Sequence, residues 1–161
     1  STEAAALIID QAATQDLGMP ILAGDTWDSN VIVNAAQGKD VNIYVTTFYQ
    51  EGGNAEFDAA FKEWINSDSV NLENNGGNDM VAAVSVMGYD AYYVALEAIK
   101  AAGSTEPAAV LAALPSVNYA GVTGNIAFAD GAKDATRDVA FIKYCNTETA
   151  VWDLIGEQGI E

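Results

Sequence analysis

The sequence has no histidine, one cysteine, three prolines and only six basic residues among 161. Each shortage excludes a class of chemistry. Without histidine there is no Ser-His-Asp triad, no histidine general base and no Cys/His zinc cluster. One cysteine cannot close an intramolecular disulfide, so Cys145 does not report a redox compartment. The acidic side chains number 23 and the net charge is −17. That disfavours nucleic acid and anionic membrane surfaces, both of which are bound through Lys and Arg. No run approaches the ~18 apolar residues of a membrane helix. No basic segment opens the chain, so no signal peptide is expected at its start.

What remains is a foldable composition. Half of the residues are hydrophobic and 9% are aromatic, unlike a disordered acidic tail. The length suits one ordinary domain or two small pieces with a real core. Residues 1–16 predict a helix, with Ser1 or Thr2 as cap, Leu7, Ile8, Gln11 and Ala12 at helical spacing, and Gly18 as the stop. A short buried strand over 20–23 follows. Asp28 or Ser29 then caps a helix over 30–36, and the β-branched run 41–47 predicts a second strand. Helices between short apolar strands predict a parallel sheet, whose ligands gather beyond the carboxyl ends of the strands.

A second regime starts at Asn54. Residues 54–65 are amphipathic, with Phe57, Ala60, Phe61, Trp64 and Ile65 on one face. Residues 67–79 read as a polar loop and 81–102 as the longest helix. Another helix runs from Thr105, its candidate cap, to about Leu114. A strand is expected over 121–128 and a turn at Ala129-Asp130-Gly131. A second strand over 138–145 is expected to form a hairpin with 151–155.

The chemistry-bearing patterns are few. Gly24-Asp25-Thr26-Trp27-Asp28-Ser29 puts a carboxylate, an indole and a hydroxyl on one loop after a buried strand. The carboxylate suits a ligand ammonium and the indole an apolar or cationic group. The same residues also suit a helix cap beside a packed Trp, and both readings stand at this point. Asp10, Asp16, Glu56, Asp58, Glu63, Glu73 and Asp79 supply carboxylates but no fixed pair of the kind a glycosidase needs. Residues 74–79 do not meet the spacing of a calcium loop, so no metal site is expected. Gly121-Val122-Thr123-Gly124 lacks the Gly-Lys-Ser/Thr end of a phosphate loop and reads as a turn. Gly88 inside a helix costs about 1 kcal/mol against Ala, which close packing on a neighbouring backbone would explain. Cys145, within an apolar alternation from Val139, reads as a small buried hydrophobe. No catalytic constellation and no cofactor motif emerges.

Three stretches, taken in order, resemble a known family. They are Glu3 to Ala12 with Pro20 to Ser29, Gly88-Tyr89-Asp90-Ala91 leading to Ala98-Ile99-Lys100-Ala101-Ala102-Gly103, and Gly121-Val122-Thr123-Gly124-Asn125-Ile126-Ala127-Phe128. Together they are similar to the C-terminal half of type I periplasmic substrate-binding proteins of ABC transporters, of the branched-chain amino acid class. The resemblance implies an α/β fold, here parts of two Rossmann-like parallel-sheet lobes that close on a solute. It places residues 1–48 and 134–161 in the C-terminal lobe and has residues 52–130 cross to the N-terminal lobe. It implies a non-enzymatic, cofactor-free, extracytoplasmic solute-binding component for an amino acid or similar small solute. A lipid anchor is left open, and transport by ABC permease subunits is implied. The same fold also serves receptor ectodomains that sense ligands, and a carboxylate-based hydrolase is the remaining alternative. Residue by residue, Asp25 matches the acid that holds the ligand ammonium, and Trp27 falls where the family lines its cleft. Ser29 is nearby and suits a cap. Val84 stands where the family often has an aromatic against the ligand side chain. Family members are about twice this long, so the implied partner is the N-terminal half or a second copy of the chain.

Overall fold

The computed structural model describes residues 2–128, 134–136 and 138–159. The capping at Ser1 and the turn at 129–131 lie outside the described residues. The chain forms six helices and six strands among the described residues: α1 Thr2–Thr14, β1 Ile21–Ala23, α2 Asn30–Ala36, β2 Ile43–Thr47, α3 Ala55–Asn66, α4 Ser69–Asn74, α5 Ala83–Ala102, α6 Pro107–Ala113, β3 Asn118–Gly121, β4 Gly124–Ala127, β5 Val139–Asn146 and β6 Val151–Gly159. Two short 3-10 turns, Asp25–Trp27 and Leu114–Ser116, join them.

The expected elements form, with instructive corrections. α1 buries Ala5, Ile9 and Ala12, one face at i, i+4 and i+7. Leu7 and Ile8 point outward. The small residues on the buried face suit close approach to α2, which α1 packs against. Ser29, not Asp28, caps α2, its hydroxyl accepting the Val31 amide at 3.1 Å. Residues 67–79 are not a plain loop. Asp68 caps the one-and-a-half-turn helix α4 by accepting the Val70 amide at 2.8 Å, and Gly76 and Gly77 then turn the chain at positive φ. Thr105 caps nothing: α6 starts after Glu106, with Pro107 in its first turn and no side-chain cap. Residues 121–128 are not one strand, because the chain reverses at Val122-Thr123 and β3 pairs antiparallel with β4. The hairpin partner of β5 extends well past 155, to Gly159.

The main sheet has the order β1-β2-β5-β6 and is mixed rather than parallel. Only β1 and β2 run parallel, while β5 opposes β2 and β6 opposes β5. The reason is where the chain returns. It leaves the sheet at the carboxyl end of β2 and re-enters beside that end, where Thr47 pairs with Phe141. A strand entering there can only run back along β2.

Two groups of buried apolar side chains form. Ile9, Ile32, Val33, Ile43, Val45, Cys145 and Trp152 fill the space between α1, α2 and the main sheet. Tyr49, Val81, Ala83 and Val86, with Phe57, Phe61 and Val122 against them, form the other. Gly88 is not explained by close packing: a Cβ there would meet nothing within 4 Å. Gly121, by contrast, has no room for a side chain, because a Cβ would sit 2.6 Å from Asp90 Oδ2. Asp90, fully buried in α5, accepts the Val122 amide at 2.9 Å, the Thr123 amide at 2.8 Å and the Thr123 hydroxyl at 2.7 Å. It ties the long helix to the β3–β4 turn.

Candidate functional site

The loop Gly24–Ser29 leaves the carboxyl end of β1. Gly24 is extended, and Asp25, Thr26 and Trp27 wind into the 3-10 turn. Backbone bonds fix the turn from within: Trp27 donates to the Gly24 carbonyl at 3.1 Å and Asp28 to the Asp25 carbonyl at 2.9 Å. Asp25 is half-exposed and has no side-chain hydrogen bond or ion pair among the described residues. Trp27 is half-buried and packs on the first core. Ser29 serves as the α2 cap. The turn also touches α5, the helix that carries Val84, which is 61% exposed. Elements more than fifty residues apart in sequence thus meet at the end of β1.

The neighbouring carboxylate behaves differently. Asp28 is 1% exposed and Lys143 4% exposed. Lys143 Nζ donates to Asp28 Oδ2 at 2.9 Å and to Oδ1 at 3.2 Å. Thr47 Oγ1 donates to the same carboxylate at 2.7 Å. This buried cluster was not found by sequence reasoning. A signal existed: Lys143 lies two residues before Cys145 on β5, and alternation puts both on the inward face.

A cavity of about 300 Å³ adjoins this pair and is lined by Gln50, Glu51, Met80, Val81 and Trp152. Gln50 Oε1 is buried without a hydrogen-bond partner among the described residues. A separate groove of about 710 Å³ runs between α3 and α5, lined by Phe57, Phe61, Trp64 and Tyr89 among others. Its rings continue one another: Phe57 to Tyr89 is 5.0 Å and Tyr89 to Tyr93 is 4.8 Å between centroids. This groove is apolar and does not include Asp25 or Trp27.

The segment that leaves β2 is held by carboxylates. Tyr49 donates its hydroxyl to Asp58 Oδ1 at 2.7 Å, and Asp58 Oδ2 accepts the Gly52 amide at 2.6 Å. Burial, with the Asp58 hydrogen bond behind it, pushes the Tyr49 phenol well above its ordinary value. Glu51 accepts the Val81 amide at 2.9 Å and pairs with Lys62, whose ammonium is raised by that hydrogen bond. Among the described residues no cluster of three metal-ligating side chains occurs and no helix is long and apolar enough to cross a membrane.

A family model described as periplasmic binding protein matches residues 1–148. Among solved structures, the chain is similar to a leucine binding protein from Thermotoga maritima MSB8, with 27% identity and a TM-score of 0.62 over 98% of this chain and 42% of that one. It also shares the fold of a solute binding protein from R. palustris solved in complex with benzoate, at 19% identity and TM-score 0.65 over 95% of this chain and 39% of that one. A type 1 periplasmic binding protein from Bordetella pertussis Tohama I gives 22% and 0.64 over 96% and 43%. The chain therefore spans about two fifths of the length of the solved structures it matches. No curated protein sequence matches it.

Proposed function

The chain belongs to the periplasmic binding protein family and has part of the type I fold, and on that premise we propose that it forms part of an extracytoplasmic solute-binding component that delivers an amino acid to an ABC permease. The observation that carries the ligand class is Asp25. Its carboxylate stands on a fixed turn at the carboxyl end of β1, half-exposed and without a partner among the described residues. A carboxylate so placed suits an ammonium, and the contact is strong and directional once water is displaced. Trp27 on the same turn and Val84 on the touching helix would bound the ligand's apolar part. A valine there leaves room for a branched aliphatic side chain.

The lobe assignment belongs to the same proposal. Residues 1–48 and 134–161 would build one lobe and 52–130 part of the other. The two separate apolar groups and the return of β5 to the sheet of β1 and β2 support it. The aromatic groove between α3 and α5 is then where the remainder of a two-lobed protein would pack. No observation favours an enzymatic reading, since the carboxylates that are buried here are tied to structure.

The test is a melting-temperature screen of the intact protein against L-amino acids and benzoate, followed by titration calorimetry. A ligand at 100 times its dissociation constant should add about 2.7 kcal/mol. At about 2–4 °C per kcal/mol, that is a rise of about 5 °C or more. Asp25→Asn should abolish most of the rise while leaving the unliganded melting temperature within about 1 °C, because Asp25 has no partner to lose. A panel without any stabilising solute, or full binding by the Asn variant, would falsify the reading.

A further inference from the structure

The loop that carries Asp25 is anchored by a buried charge whose partners are far away in sequence. Asp28 follows the turn directly and receives Lys143 and Thr47. Thr47 is the last residue of β2, where the chain leaves the sheet. Lys143 stands in β5, on the stretch by which it returns, and a register shift against β6 falls between Ile142 and Lys143. The extra residue at that shift is Ile155 of β6, opposite the step from Ile142 to Lys143. The next residue is clamped too: the Ser29 carbonyl accepts Trp152 Nε1 from β6 at 3.2 Å. One carboxylate therefore ties the loop to both strands that lead out of this sheet.

Stability is a weak account of that arrangement. Removing two charges from water costs about what their attraction returns, and apolar side chains of similar volume often do as well or better. Apolar side chains would not fix the loop's direction, whereas three directed hydrogen bonds to one carboxylate do.

We propose that Asp28, with Lys143 and Thr47, forms a positioning cluster that presents Asp25 to the ligand ammonium. This rests on the solute-binding reading above and names how that site obtains its selectivity for an amine. Asp28 touches no ligand. It acts by holding the Gly24–Ser29 loop against β2 and β5, so that Asp25 meets the ammonium without reorganisation.

The test uses the intact protein and two probes, L-leucine and isocaproate, which is leucine without its amino group. The double variant Asp28→Leu/Lys143→Met replaces the pair by apolar side chains and leaves no unpaired buried charge. It should lose at least about tenfold in affinity for L-leucine, because a misplaced group of this kind costs that much or more. Isocaproate affinity should change by less than about twofold, since no ammonium contact is involved. The ratio of the two affinities is the readout. General destabilisation lowers both together and leaves the ratio unchanged. Thr47→Val, which removes a single hydrogen bond, should lower the ratio by about threefold, and Thr47→Ser should restore it. The Thr47 pair decides the matter if the double variant does not fold. Equal weakening of both probes, or an unchanged ratio, overturns the proposal. A wild-type protein that binds both probes equally overturns the role of Asp25, and one that binds neither overturns the branched aliphatic ligand inferred from Val84; in either case this proposal falls with it.

Discussion

Asp90→Ala should cost this protein about 3–4 kcal/mol, and the reasoning rests on three donors. In the wild type the carboxylate takes two amides and a hydroxyl, from Val122 and Thr123, at 2.7 to 2.9 Å. Alanine leaves all three without that acceptor. An unsatisfied buried donor costs about 1–3 kcal/mol. The two donors of Thr123 lie in the buried part of the site, and the Val122 amide is nearer to water. Counting the Thr123 donors in full and the Val122 amide little gives the figure of about 3–4 kcal/mol. The better helix propensity of Ala offsets at most about 0.7 kcal/mol and cannot reverse the sign. Total stabilities are about 5–15 kcal/mol, so the variant should melt about 10 °C lower at about 2–4 °C per kcal/mol. Urea unfolding at constant m-value gives the free energy, and hydrogen exchange should show the Val122 and Thr123 amides losing protection. Gly121→Ala attacks the same contact from the other side, driving a methyl to 2.6 Å from Asp90 Oδ2. The double variant should therefore lose less than the sum of the two. A loss below about 1 kcal/mol for Asp90→Ala, or unchanged amide protection, refutes the argument.

Two further outcomes follow from buried titratable groups. Cys145 is fully buried, and burial, aided by the nearby Asp153 charge, pushes its thiol up to about 11. An aromatic disulfide reagent at pH 8 should leave the native protein unreacted and modify one thiol only on unfolding; rapid native-state reaction contradicts this. Tyr49 has a native pKa raised above the ordinary value of 10.0 by burial and by Asp58. The native state thus holds its proton more tightly than the unfolded chain, so this contribution is complete below pH 10 and is lost as pH rises through the native value. Urea midpoints taken from pH 8 upward should fall above pH 10, and Tyr49→Phe should flatten that fall. Parallel curves for wild type and variant would sink the assignment.

Much of the architecture was legible because it is local. Ser29, Asn54 and Gly103 mark helix ends by capping and by left-handed backbone, which short-range chemistry dictates, whereas α1 ends at Thr14 and is closed by Asp16 at φ 47, not by the expected Gly18. The errors were also local in origin. Asp68 and its short helix were hidden in a polar stretch, and the spacing of Leu7 and Ile8 did not say which face of α1 would meet α2. Asp25, Trp27, Ser29 and Val84 could be picked out as candidates, yet their sequence could not distinguish a half-exposed Asp25 from the fully buried Asp28 three residues on.

By itself, then, the sequence determined the α/β class, the order of most elements, the lack of a histidine or a cysteine pair within these 161 residues, and the family resemblance that the match over residues 1–148 upholds. These depend on periodicity, composition and motifs that persist in the unfolded chain. Only the tertiary structure decided the mixed sheet, because strand direction depends on the edge at which the chain returns. It alone decided that Lys143 meets Asp28 across 115 positions and that Asp90 holds Gly121 and its turn. Pairings of that kind exist only once separate segments are packed together, since a charge can be buried only where its partner is already waiting.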